Sequence, residues 1–238
     1  MTTAASPPWA SALDIPELVF AQTEVFDEGF LPTRRHSWIN RPELADVSQQ
    51  RPYQSCVSHA SARAFETMRQ SRGMGAEQFD ADMFHQCILD QPLNVPAMSV
   101  KQVEDHLKAT GFPRATPEFQ PGGQCPSPLP ATVRGSGMKR IMDEETAKRA
   151  LRTYWPIIAL LSVEPRFEDL SGWTVYRDGI GHRTFNHAVL IIGYDDDEDA
   201  WEVQNSFGLG WGAQGRGRIG YGTGGLFANT LNIAFLVY

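Results

Sequence analysis

The hydrophobic pattern of this chain changes period part-way along, and that change limits the fold more than any other feature. In four segments between residues 56 and about 154 the apolar side chains recur at helical spacing; beyond them they come in short β-branched and aromatic runs. Across 56–70, Val57, Ala60, Ala64 and Phe65 make one stripe behind Ser55, an N-cap residue type. A second helix is expected over 77–90, with Phe79, Met83, Phe84, Cys87 and Ile88 facing inward. A third opens at Ser99, with Gln102 completing a capping box, and stops at Gly111. A fourth runs from Asp143 to about Tyr154. The runs 157–163, 187–194, 201–205, 218–221 and 231–238 read as strands. Helices first and strands afterwards predict an α+β fold with a cleft between the two halves.

Three segments follow. Residues 1–45 are proline-rich and are expected to form an extended arm crossing the body, to which 18–20 and 25–26 could add a short strand. Residues 46–125 make a helical lobe and 126–238 a strand-rich lobe. The stretch 113–137, rich in Pro, Gly and Ser, loops between them. The acidic run 195–199 is a solvated hairpin tip rather than a calcium loop. Gly215-Arg-Gly-Arg-Ile-Gly220 has the spacing of a dinucleotide fingerprint, but glycines rather than a helix follow it, so it is a strand turn.

A net charge of -7 argues against nucleic acid and acidic membrane surfaces as partners. No apolar run approaches the ~20 residues of a membrane span. The start lacks the basic region and apolar core of a secretory signal, so the chain is expected to be cytoplasmic as synthesised, with signal-less export open. Of three cysteines, Cys56, Cys87 and Cys125, at least one is unpaired within a monomer, and the other two either bridge or stay free. Cys56-x-x-His59 and His85-x-Cys87 lack the paired spacing of a zinc module, so neither metal nor cofactor is expected.

Four residues carry the chemistry. A free thiol has a pKa near ~8.5, and a helix N-terminus lowers it by aiming unpaired N–H groups at the sulfur. Cys56 follows Ser55 into such a first turn. His187, on a strand of the other half, would complete a thiolate–imidazolium pair. Asn205, on the next strand, would accept the Nδ1–H of that imidazole and leave Nε2 facing the sulfur. Gln50, six residues before the cysteine, would join the Cys56 backbone N–H in an oxyanion hole. His59, three residues after Cys56, shares its helix face and reads as a packing or lobe-contact group.

Over roughly 32–221 these residues resemble the papain family of cysteine peptidases. The resemblance is carried by Gln50-Arg-Pro-Tyr-Gln-Ser-Cys56, by Asn186-His-Ala-Val-Leu-Ile-Ile-Gly-Tyr194 and by Asn205-Ser-Phe-Gly-Leu-Gly-Trp-Gly212. It implies Cys56 as nucleophile, His187 as base, Asn205 as orienter and Gln50 in the oxyanion hole. It also implies a papain-like two-lobe fold, with a helical left lobe, a β-barrel-like right lobe and a substrate cleft between. Cys87 and Cys125 resemble a disulfide pair of the family. Ala188 is implied to line a side-chain pocket, and Trp211, a core or cleft-wall residue, joins it as a substrate-binding candidate.

The chain departs from the family pattern at several positions. Tyr53 replaces a cysteine before the nucleophile, and Val57 replaces the tryptophan after it. Phe207 replaces the tryptophan after the asparagine, still an apolar lid. The region 94–98 lacks the glycine pair that binds substrate backbone. With ~55 residues before Cys56, the expectation is an enzyme without an inhibitory pro-segment. The expectation is a cysteine endopeptidase working through an acyl-thioester on a protein or peptide substrate. It would be restrained by narrow specificity, a protein inhibitor or delivery, as a bacterial effector or toxin with an immunity protein would be. The alternatives are a thioester-based acyltransferase or ligase, and an inactive binding module on the same fold.

Overall fold

The computed structural model describes residues 17, 33–95, 99–178, 185–228 and 233–238. In chain order the strands are β1 (Arg35–Ser37), β2 (Phe112–Pro113), β3 (Thr132–Val133), β4 (Met138–Ile141), β5 (Ile157–Leu161), β6 (Val175–Tyr176), β7 (His187–Asp195), β8 (Ala200–Gln204), β9 (Arg216–Gly220) and β10 (Ala234–Val237). The α-helices are α1 (Cys56–Ser71), α2 (Ala81–Met83), α3 (Val100–Ala109) and α4 (Glu144–Thr153).

β7 is the spine of the molecule, and every one of its residues is buried. Its first half pairs antiparallel with β5, from Leu161↔His187 to Ile157↔Ile191. Its second half pairs with β8 and, on the other side, with β1. The sheet continues through β10 to β4 at one end and through β9 to β6 at the other. β1 can come this close because residue 193 is glycine: a Cβ there would lie 2.4 Å from the His36 carbonyl oxygen. The described part of the arm therefore adds a strand, while 18–20 and 25–26 lie outside the described residues; Glu17 bridges Arg140.

α1 packs against β7, β5 and β10. Its small residues Ala60, Ala62 and Ala64 are buried, and Phe65 meets Phe79 and Phe112 beyond the sheet. The second helix begins later than the pattern predicted. Gln78 and Phe79 leave the helical path to bridge the strand at Arg114, and Asp80 caps α2 by accepting the Met83 N–H at 2.8 Å. A π-helical turn at Phe84–Ile88 then ends the element. α3 carries the Ser99–Gln102 capping box, and Gly111 ends the turn after it at φ +90. α4 starts as expected, with the Asp143 carboxylate accepting the Thr146 N–H at 2.8 Å. The loop across 113–137 is tied back to the helical half by a Cys87–Cys125 disulfide and by β2–β3 pairing.

The acidic run turns the β7–β8 hairpin with Asp197, Glu198 and Asp199 exposed, and it is ion-paired as well as solvated. Arg35 meets Asp195 at 2.9 Å, Arg34 meets Asp197 at 2.6 Å and Lys148 meets Asp196 at 2.7 Å. Five acids in a row repel, so cations from the arm and from α4 are drawn onto them.

Candidate active site

The N-terminal turn of α1 puts Cys56 against the start of β7. Cys56 carries the free thiol and is 6% exposed. Burial pushes its pKa up to about 11; the backbone N–H groups of Ala188, Val57 and Cys56 itself point at the sulfur and work the other way. The Ala188 contact fixes the geometry, because it brings the sulfur to the residue next to His187. Ser55 stands at the N-cap position without capping. Its hydroxyl donates instead to Asp82 Oδ1 at 2.6 Å. The first-turn N–H groups are thus left for the thiol, and that turn holds no acidic side chain to oppose a thiolate.

His187 and Asn205 meet at 2.8 Å, but through Nε2 rather than the expected Nδ1. The β7–β8 ladder ends at Leu190↔Gln204. Continued, its register sets Asn205 diagonally from His187, a span that only the far nitrogen of the ring bridges. The accepting atom is an oxygen, since the Ser206 backbone N–H also donates to it at 2.8 Å. Nε2 therefore carries the proton and Nδ1 is left for the sulfur. Asn205 Nδ2 is buried with no partner among the described residues.

The imidazole sits in an aromatic enclosure. Phe207 lies 4.9 Å from it between ring centroids and Phe167 5.5 Å. Burial there lowers the His187 pKa to about 4, against the Asn205 hydrogen bond that favours its charged form; the nearby Arg51 charge lowers it further. Burial thus resists both charges of a thiolate–imidazolium pair taken singly. Passing the proton from sulfur to nitrogen creates the two together, where each stabilises the other in a medium that screens poorly.

Gln50 is buried between the halves. Its Oε1 accepts from the Ser206 hydroxyl, its Nε2 donates to the Tyr53 carbonyl at 3.0 Å, and its backbone N–H donates to the Ser206 carbonyl at 2.8 Å. One Nε2 hydrogen remains for another acceptor. Gln50 and His187 both line a cleft of ≈ 800 Å³.

The chain matches the model of the papain family of cysteine proteases over residues 33–234. It belongs to that family. A cathepsin L-like peptidase of Aedes aegypti is 38% identical to this papain-family chain over 77 residues, 31% of the chain and 23% of the relative. Mouse cathepsin O (Mus musculus) is 22% identical over 204 residues, 79% of the chain and 63% of the relative. The chain spans about a quarter of the length of curated relatives such as the first of these. Among solved structures, one from work on the mite allergens Blo t 1 and Der p 1 superposes with a TM-score of 0.80 at 18% identity, covering 98% of this chain and 78% of that one. The Carica candamarcensis cysteine protease CMS1MS2 in complex with E-64 gives 0.70 at 18% identity, covering 86% and 98%. The fold is therefore papain-like, an α+β arrangement.

Within this papain-family frame the structure brings Cys56, His187, Asn205 and Gln50 to one place. It does not bring Ala188 and Trp211 to the cleft wall. Ala188, the second residue of β7, is 0% exposed, and only its backbone N–H serves the site. Trp211 is 2% exposed, its indole donating to the Phe167 carbonyl at 2.7 Å. Trp211 packs against Phe167, 5.0 Å between ring centroids, and so backs the ring that encloses His187. His59 pairs with Asp82 at 3.1 Å, the acid that also holds Ser55.

Sequence reasoning passed over Ser206, which grips both Gln50 and Asn205, although it stood inside the Asn205 motif. Phe167 had no local signal: it lies in a 3₁₀ turn, Pro165–Asp169, far in sequence from everything it encloses.

Proposed function

We propose that this papain-family chain is a cysteine endopeptidase that cleaves peptide bonds through an acyl-thioester on Cys56. The observation that carries the reading is the Asn205-held imidazole at the start of β7, with the Cys56 sulfur against the very next backbone N–H and a cleft opening beside it. The Cys56 proton passes to His187 Nδ1 as the sulfur bonds to the scissile carbonyl carbon. The negative oxygen accepts from the second Nε2–H of Gln50 and from the Cys56 backbone N–H. His187 returns the proton to the nitrogen as the C–N bond breaks and the amine leaves. Water, deprotonated by the same imidazole, attacks the thioester and releases the acid and the thiol. Phe207 over the His187–Asn205 bond keeps water off it.

The test is the set of new N-termini that appear when a cell lysate is exposed to wild type and to Cys56→Ala. Wild type generates them and the variant does not. Identical sets would end the reading. Rapid labelling of Cys56 by an epoxysuccinyl probe at neutral pH, lost in His187→Ala, supports a working pair rather than a silent binding module. Amide products formed in the presence of an added amine would favour acyl transfer over hydrolysis.

A further inference from the structure

One feature of the cleft is unused by this chemistry. Arg51 directly follows Gln50, and it is the lone Lys or Arg lining the cleft among the described residues. Its guanidinium carbon lies 4.1 Å from the centroid of Phe207. Phe207 in turn covers His187, 4.9 Å between ring centroids. His187 must deliver its proton to the departing amine, so the side of the cleft walled by Phe207 and Arg51 is where the leaving half of the substrate lies. Arg51 also contacts Glu168 Oε2 at 2.9 Å. That acid comes from the 3₁₀ turn Pro165–Asp169, in the strand-rich half, so the ion pair crosses the cleft. Both side chains are open to solvent, 42% and 60% exposed. An ion pair between such exposed groups is weak, and Glu168 returns to water at little cost when another carboxylate takes its place. The planar guanidinium, stacked on an aromatic ring, is already oriented to receive one through two parallel N–H bonds.

We propose that Arg51 recognises a carboxylate on the leaving-group side of the cleft, exchanging Glu168 for it. This rests on the peptidase reading above. The carboxylate is either an acidic side chain just after the scissile bond or the terminal carboxylate of a short leaving segment.

The test uses the full chain and a peptide library prepared from a digested proteome, one portion with its C-termini amidated. Wild type, Arg51→Ala, Arg51→Lys and Glu168→Gln are compared by sequencing the cut ends. Wild type is expected to enrich Asp and Glu about tenfold at the first positions after the cut, or to concentrate cuts near free C-termini by a like factor. Amidation abolishes the second signature and spares the first, which separates the two sources. Arg51→Ala brings either ratio close to one, Arg51→Lys keeps part of it, and Glu168→Gln raises it. Cuts without either signature, or a signature that persists in Arg51→Ala, overturn this assignment and leave the peptidase reading standing. No cuts at all by wild type would overturn both.

Discussion

At Gln50 one amide hydrogen is committed to the Tyr53 carbonyl, and the oxygen is held by Ser206. The group is pre-oriented and costs nothing to reorganise when an oxyanion forms. Gln50→Ala should therefore lower kcat by roughly 100-fold with KM little changed, as steady-state kinetics on a short peptide will read. The pH profile is set by the pair. Burial holds the His187 pKa down at about 4 and the Cys56 pKa up at about 11. The form with one proton shared between them is lost only when a second proton arrives on the acid side or the last one leaves on the alkaline side. kcat/KM should stay flat through neutrality, with its acid limb well below the ~6.5 of an ordinary histidine. A limb at that ordinary value would mean a hydrated imidazole. The sign for stability follows the same way. His187 is depressed, so its contribution is present above ~6.5 and is lost as pH falls toward about 4.

Among the elements, α1 and α4 use their N-termini for different ends. α4 spends the Asp143 carboxylate on its own first turn. Asp143→Ala should cost about 1 kcal/mol of stability, seen as a lower urea midpoint with activity per folded molecule unchanged. α1 instead turns Ser55 toward Asp82 and leaves its first-turn N–H groups to the thiol. An N-cap residue type stands before both helices in the sequence, Ser55 at one and Asp143 at the other. Which N-cap binds its helix depends on whether a buried acid from α2 competes for it, and no local reading contains that acid. The late start of α2 has the same origin: a strand pairing with Arg114 claims Phe79, an option that helical periodicity alone does not reveal.

Across the whole molecule, buried charge links the helical half together. Glu66 on α1 accepts from the Phe79 N–H at 2.6 Å and from Arg63 at 2.8 Å. Burial nevertheless raises its pKa to about 7, over the opposing pull of Arg63 and that N–H. A raised carboxyl contributes fully below the unfolded value of ~4.5 and loses its contribution as pH climbs through about 7. Glu66→Gln should thus gain stability relative to wild type as pH rises across that window, a difference that paired thermal melts will follow. A constant offset between the two would refute the assignment. The sequence by itself determined the helical periodicity of α1, α3 and α4 and the apolar runs of β5, β7 and β8, and its family-like motifs nominated Cys56, His187, Asn205 and Gln50 as candidates, because periodicity and motifs are local properties of the chain. Strands β1 and β4, which join the main sheet from the first half, left no such local pattern. Only the tertiary structure decided which imidazole nitrogen meets Asn205, that Ala188 and Trp211 are buried rather than cleft wall, that Phe167 encloses His187, and that Arg51 faces Glu168. Each of those depends on where side chains distant in sequence are brought by strand register and lobe packing, and a linear pattern carries no record of such distances.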